Sequence, residues 1–241
     1  MTSEASHRNS HASRERQITS KLKLILRGDS QRLASPLYAI NWFDTRPAWI
    51  YHLYNFLAMG RLKRAGGKAF FKGRVVRRLS GDESMARKHL LIVNYPSADH
   101  FLNLVSDKLF MLIGLLRMLS VRRFSFVMHE RIDASEATRE RDSPYCVVLH
   151  FASSAPETVT QSATSAAVAS AVNIVFAGRQ AVRVYSESAG AENGLDYVTP
   201  HTIVIAAASE EELQSFLQTT EMLQAIENTD QHYAGLLKRS V

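Results

Sequence analysis

Eight residues between positions 38 and 129 have the types and spacing to handle a small anionic molecule: Tyr38, Asn41, Lys72, Arg74, His89, Asn94, Tyr95 and His129. Imidazole titrates near neutrality without assistance, so His89 and His129, on neighbouring strand positions, are the acid/base candidates. Arg74 offers a planar fork for a carboxylate or phosphate, and Lys72 a second cation. Tyr38, Asn41 and Trp42 share one strand and can supply hydrogen bonds and an apolar wall. Asn94 and Tyr95 crowd a corner, "NYPSADH", where a strand runs into a helix. Each group also has a plain structural reading. The basic run "RLKRAGGKAFFKGRVVRR" (Arg61 to Arg78) can be a charged strand face protecting an edge. The histidines can be hydrogen-bonded or surface residues, and Ser97 and Asp99 read as helix cap and dipole partners.

Several chemistries are excluded by what is missing. No pair of histidines has H-E-x-x-H spacing, and no acidic residues gather around one, so no metal site is expected. The G-x-S-x-G, G-x-x-x-x-G-K-[ST] and G-x-G-x-x-G patterns are absent, and no cofactor is indicated. The single cysteine, Cys146, lies in the apolar run "YCVVLHF". It reads as a buried, inert thiol, and a lone cysteine suits a reducing, cytoplasmic compartment.

The positioning elements follow from periodicity. "LYAINWF" from Leu37 is rich in strand formers. "DTRPAWIYHLYNFLAMGRLKRAGG" reads as a helix, with Asp44 or Thr45 as cap, Pro47 in the first turn and Gly66–Gly67 ending it. A strand from Lys68 turns at Ser80–Gly81–Asp82. On it, strict alternation would place Lys68, Phe70, Lys72, Arg74, Val76 and Arg78 on one face. "HLLIVNY" is the third strand, a helix follows Pro96, "LFMLIGLLRMLS" prolongs it, and "VRRFSFVMHERI" closes the unit: β-α-β-β-α-β.

After the polar stretch Asp133 to Ser143 the order returns. "PYCVVLHFA" is a strand, "PETVTQSATSAAVASAVNIVFAG" a helix ended by Gly178, and "RQAVRVYSES" and "HTIVIAAA" are strands. "SEEELQSFLQTTEMLQAI" is a helix and "HYAGLLKRSV" a last strand. Placing Ser97 on Ser209 sets Phe101 on Leu213 and Leu104 on Phe216 without a gap. The expectation is an α+β fold of two tandem ferredoxin-like units, residues 36–133 and 144–241, joined by a linker at 134–143 and preceded by a disordered basic tail, 1–35. The sheets of the two units should pack face to face as an α+β barrel.

Charge divides in the same way. Basic against acidic residues number 7 and 3 in 1–36, 18 and 10 in 37–142, and 4 and 10 in 143–241. Opposite potentials of this kind help two units, or two copies, to dock, so a homo-oligomer is compatible with the composition. Nucleic acid is disfavoured, because the basic residues fall in no recognition pattern. The longest apolar runs, such as "LFMLIGLLRML", are shorter than the roughly 20 residues of a membrane span, and the N-terminus has no secretory apolar core.

Residues 37–132 carry a resemblance. With "GGK" before the second strand, "YPS" after the third and "SDKLF" beyond, the chain resembles the dimeric α+β barrel superfamily. Its closest likeness there is a bacterial domain family of unknown function with GGR, F/Y-P-S and "SDPEY"-like segments. Lys68 replaces the usual Arg, and "SDKLF" lacks the acidic residue and the final Tyr. The superfamily includes cofactor-independent monooxygenases, muconolactone isomerase and haem enzymes. The resemblance therefore implies a ligand cavity between sheet and helices, without naming its occupant. The expected function is binding of a small organic ligand, with oxygenation or isomerisation of a cyclic anionic metabolite as the reaction. The rival reading is a non-enzymatic regulatory or interaction module with a structural second unit.

Overall fold

The structure, a computed structural model, describes residues 36–132, 143–170, 172–186 and 200–240. The tail expected at 1–35 and almost all of the linker expected at 134–143 lie outside these residues. Strand β1 (Leu37–Thr45) is followed by helix α1 (Ala48–Arg64), β2 (Lys68–Gly81), β3 (His89–Tyr95), α2 (Ala98–Ser106), α3 (Lys108–Ser120) and β4 (Val121–Arg131). Then come β5 (Tyr145–Ala152), α4 (Pro156–Ala169), β6 (Asn173–Ser186), β7 (His201–Ala207), α5 (Glu210–Leu217), α6 (Thr220–Glu227) and β8 (Gln231–Arg239).

All eight strands pair antiparallel in the order β1-β3-β2-β8-β5-β7-β6-β4, and β4 returns to β1, so the sheet is a closed barrel. The first four strands are ordered β4-β1-β3-β2 and the last four β8-β5-β7-β6. The two quartets meet at β2–β8 and at β4–β6. Their inner faces pack inside one hydrogen-bonded ring, which satisfies the backbone along every joined edge.

Helices cover most of the outside, so β1, β5 and β7 are buried on both faces and read as nearly continuous apolar runs, whereas the outer face of β2 is largely exposed. On β1, Tyr38, Ile40 and Trp42 enter the barrel interior with Phe71, Leu90, Ile92, Val148 and Phe176. Leu37, Ala39 and Phe43 face the other way, into clusters with Leu62, Phe101, Leu104 and Tyr51. In the second half, α4, α5 and α6 pack on β5 to β8 through apolar side chains and alanines, among them Leu149, Val159, Ala163, Ile205 and Phe216. Phe101 and Leu213, and Leu104 and Phe216, aligned from the sequence, are all buried.

Several local expectations need correction. Helix α1 has Pro47 at its N-cap and no side-chain cap. Asp44 instead accepts the Lys88 amide at 2.8 Å and pairs with Arg123, and the Thr45 hydroxyl lies 3.1 Å from His89 Nε2. Ser97 stands at the N-cap of α2 without capping it, because its Oγ bonds His100 Nδ1 at 2.8 Å. Its counterpart Ser209 does cap, accepting from the Glu212 amide while the Glu212 carboxylate accepts from the Ala208 amide, a variant of the capping box. The region after α2 is a new helix, started by Asp107, which accepts the Phe110 amide. Likewise Thr219 separates α5 from α6.

Helix α4 ends at Ala169 rather than at Gly178, and "NIVFAG" belongs to β6. The Ala/Ser composition favours helix up to that point, and the β-branched and aromatic Ile174, Val175 and Phe176 favour strand beyond it. Gly178 serves a packing purpose: a Cβ there would stand 2.5 Å from the Phe176 ring.

Candidate functional site

The register of the first four strands sorts the eight candidate residues onto two opposite faces. Phe43 pairs with His89, Asn41 with Leu91, and Tyr38 with both Asn94 and His129. His89, Asn41 and Tyr95 therefore face the helices, whereas Tyr38, Asn94 and His129 face the barrel interior. His89 and His129 lie on strands flanking β1, but at opposite ends and on opposite sides of it, so they cannot work as one acid/base pair.

Strand β2 departs from strict alternation. A bulge between Ala69 and Phe71 puts both Phe70 and Phe71 into the interior cluster. From Phe71 onward, Gly73 continues inward, and Lys72 and Arg74 turn outward. Arg74 is then the direct cross-strand neighbour of His89, and Lys72 of Leu91, whose other neighbour is Asn41. Lys68, paired with Asn94, does not share this face and is exposed. The face of six expected from the sequence is thus broken at its second member.

The outward face forms a graded site. Tyr51 of α1 is buried, His89 and Lys72 are half-buried, and Arg74 is exposed, so the site is walled by α1 and open over β2. His89 stacks on Phe43 at 5.5 Å and on Tyr51 at 6.2 Å. Burial, then the Arg74 charge, lower its pKa, with Lys72 and Lys88 adding to this and Asp44 opposing it. At neutral pH His89 is an uncharged imidazole able to accept a proton. Asn41 Nδ2 donates to the Ala39 and Leu91 carbonyls at 3.1 Å each, which leaves its Oδ1 as the acceptor it can offer. Arg74 and Lys72 supply positive charge for an anion.

Tyr51 and Tyr54 were missed in the sequence reading. Their signal was present as Tyr51, Tyr54, Ala58 and Leu62, an i, i+3, i+7, i+11 stripe on α1 that turns toward the sheet. Burial raises the Tyr51 and Tyr95 phenols well above their usual value, with Tyr54 adding to both.

Tyr95 and His100 have a structural explanation. A Cβ on Gly67 would lie 3.1 Å from the Tyr95 ring, and one on Gly66 would lie 2.5 Å from the His100 ring. The two glycines let those rings close over the end of α1, and Gly66 also takes the positive φ of 79° that terminates the helix.

The interior holds a second polar set. His129 and His150 are fully buried, with His129 stacked on Phe176 at 6.4 Å. His150 Nδ1 lies 3.0 Å from Thr202 Oγ1, and its Nε2 has no hydrogen-bond partner. Burial, with His129 and Arg87 assisting, lowers the pKa of His150 to about 3. Burial pushes Tyr233 up to about 12 and Cys146 up to about 11. His150, Tyr233 and Cys146 therefore stay neutral near pH 7, and all three lie in the buried interior. Among the described residues no three His, Cys, Asp or Glu side chains are placed to hold a metal ion.

No protein-family model and no curated protein match the sequence. Among solved structures, the chain is similar to a candidate monooxygenase from Fusobacterium nucleatum, at 7% identity over 86% of this chain and 93% of the other, with a TM-score of 0.53. It is also similar to an anthrone oxidase-like protein, at 11% identity over 86% and 92% of the two chains and a TM-score of 0.50. A mutant chlorite dismutase from Candidatus Nitrospira defluvii matches at 13% identity over 87% and 95%, with a TM-score of 0.50. At these identities the likeness concerns the fold alone. The chain is a mixed α+β protein built on an eight-stranded, closed antiparallel barrel of the ferredoxin-like type.

Proposed function

We propose that this barrel binds a small cyclic organic anion on the helix-facing side of its first four strands. Arg74 and Lys72 orient the anionic group, His89 moves a proton, and Asn41 offers an acceptor. The observation that carries this reading is the register that sets Arg74 beside His89 and Lys72 one strand from Asn41, on the face bounded by Tyr51. The reaction that suits an uncharged imidazole next to two cations is cofactor-independent isomerisation or oxygenation, in which loss of a proton from the bound ring is the first step. The names of the similar structures, a candidate monooxygenase and an anthrone oxidase-like protein, support the same class.

The two quartets, with equal strand order and equal element order, support a duplication of one ferredoxin-like unit. The GGK, YPS and SDKLF segments support kinship of the first unit with the bacterial family they resemble. The lone, buried Cys146 supports a cytoplasmic setting. A specific observation also favours a structural role for the second unit. Its helix–sheet layer is filled by buried apolar and small residues. It does repeat the cross-strand Arg–His pair, with Arg179 beside His201 and the His201 ring stacked on Phe151, but there Glu130 and Glu157 pair with the arginine and offset its charge.

The test is a titration of isotope-labelled protein with salicylate as the probe anion, followed by amide chemical shifts. The expected result is movement at Lys72, Arg74 and His89, and about tenfold weaker binding in Arg74→Ala, the loss of one charge-assisted pair. Shifts confined to the second half of the chain, or none that saturate, would defeat the assignment.

A further inference from the structure

The outer surface of α1 and α3 is apolar where a helix on a water-soluble barrel is expected to be polar. Trp49 is 68% exposed, Phe56 80% and Leu112 60%, and Leu53, Leu115 and Leu119 join them. These residues recur at helical spacing, so each helix has apolar side chains on its outer as well as its inner face, a pattern that calls for further cover. The helices are fastened side by side and antiparallel. The Arg46 amide donates to the Ser120 carbonyl at one end, and Arg61 pairs with Asp107 at the other. Their outer residues therefore form one continuous patch.

The second half of the chain supplies an internal control. Helix α4, which follows β5 as α1 follows β1, exposes Glu157, Gln161, Thr164 and Ser165, with Val168 as its one large exposed apolar side chain. The apolar outer face is thus a property of the first half and not a requirement of the fold.

Charge around the patch identifies what covers it. Neither α1 nor α3 contains an acidic residue. Exposed Arg46 and Arg122 stand at one end, and exposed Lys63, Arg64 and Lys108 at the other. A second copy docked across a two-fold axis would bring cation against cation at both ends, in either relative direction of the helices. An anionic lipid surface complements the basic residues at both ends, Asp107 being already paired with Arg61, and it accepts Trp, Phe and Leu at the headgroup boundary. We propose that the α1–α3 face docks peripherally onto an anionic bilayer, leaving the Lys72–Arg74–His89 face beside it within reach of a membrane-derived or soluble ligand. No helix among the described residues is long and apolar enough to cross a membrane, and the docking requires none.

The test is co-sedimentation of the full chain with vesicles of phosphatidylcholine alone or mixed with phosphatidylserine. The expected result is binding to the mixed vesicles that falls with added salt, accompanied by a blue shift of Trp49 emission; Trp42 is already fully buried in the barrel and does not respond. Lys63→Glu/Arg64→Glu should weaken binding by about tenfold or more. Phe56→Ser/Leu112→Ser, two exposed sites whose change leaves far-ultraviolet circular dichroism intact, should abolish it. Equal sedimentation with neutral and anionic vesicles would overturn the proposal. So would a dimer in light scattering that Phe56→Ser/Leu112→Ser dissociates, since a second copy would then be the cover.

Discussion

Acidification from pH 7 to pH 4 is expected to lower the unfolding free energy by an amount on the order of a few kcal/mol, read as the midpoint of urea denaturation at each pH. The main contributor is His150. Its pKa is lowered to about 3 in the fold, first by burial and then by His129 and Arg87, against an ordinary value of 6.5 when the chain unfolds. Between those two values the unfolded chain binds more protons than the folded one, so stability falls as pH falls. Above about pH 6.5 the contribution is fully present. His89, His201 and His232 are shifted in the same direction by burial and act with the same sign. His150→Gln retains a partner for Thr202 Oγ1 and removes the titrating group, so its stability should depend much less on pH. A wild-type midpoint that stays constant from pH 7 to pH 4 would show that the barrel interior is open to solvent.

Trp42→Ala should cost about 3–5 kcal/mol, the usual range for deleting a large buried aromatic. Trp42 is fully buried on β1, and its indole N–H donates to the Met85 carbonyl at 2.8 Å. Its ring also contacts His150 of β5 at 4.8 Å and Tyr233 of β8 at 5.5 Å, both edge-on. The residue thus ties the first quartet of strands to the second as well as filling the centre of the barrel. Trp42→Phe separates the two contributions. It keeps an aromatic ring and leaves the Met85 carbonyl without its donor, a loss of about 1–3 kcal/mol. Chemical denaturation of the three proteins checks the order, wild type above Phe above Ala.

Period and punctuation made most of the architecture legible. The limits of β3 at His89 and Tyr95 were readable because Pro96 stops a run of strand formers and Ser97 begins helical spacing. The end of α1 was readable from Gly66–Gly67, although the reason both are glycines emerged only when the His100 and Tyr95 rings were seen lying on them. Tyr95 and His100, polar residues at a corner in one dimension, also pack on the turn at Gly66–Gly67, a contact that local pattern does not encode.

The faces of β2 were misjudged for a definite reason. A bulge shifts the alternation by one residue, and nothing in "KAFFKG" distinguishes a bulged pair of phenylalanines from an alternating one. Its effect on the site is decisive, since it removes Lys68 from the group and leaves Lys72 and Arg74 with His89. The separate surroundings of His89 and His129, the two acid/base candidates, are set by topology. Both lie next to β1, and only the register reveals that they meet it at opposite ends and opposite faces. The barrel interior escaped the sequence reading in a different way. His150, Tyr233 and Thr202 sit in runs so apolar that their polar atoms signal nothing until β5, β7 and β8 are placed side by side.

The most direct measurement of the central claim is native mass spectrometry of freshly purified protein alongside Lys72→Ala/Arg74→Ala. Both positions are outward-facing, Arg74 exposed and Lys72 half-buried, so the variant should fold. The account predicts that the wild-type chain carries the extra mass of a small organic acid and that the variant loses it. A bare polypeptide mass for the wild type, or a retained ligand indifferent to both substitutions, would contradict the account and leave the barrel as a scaffold.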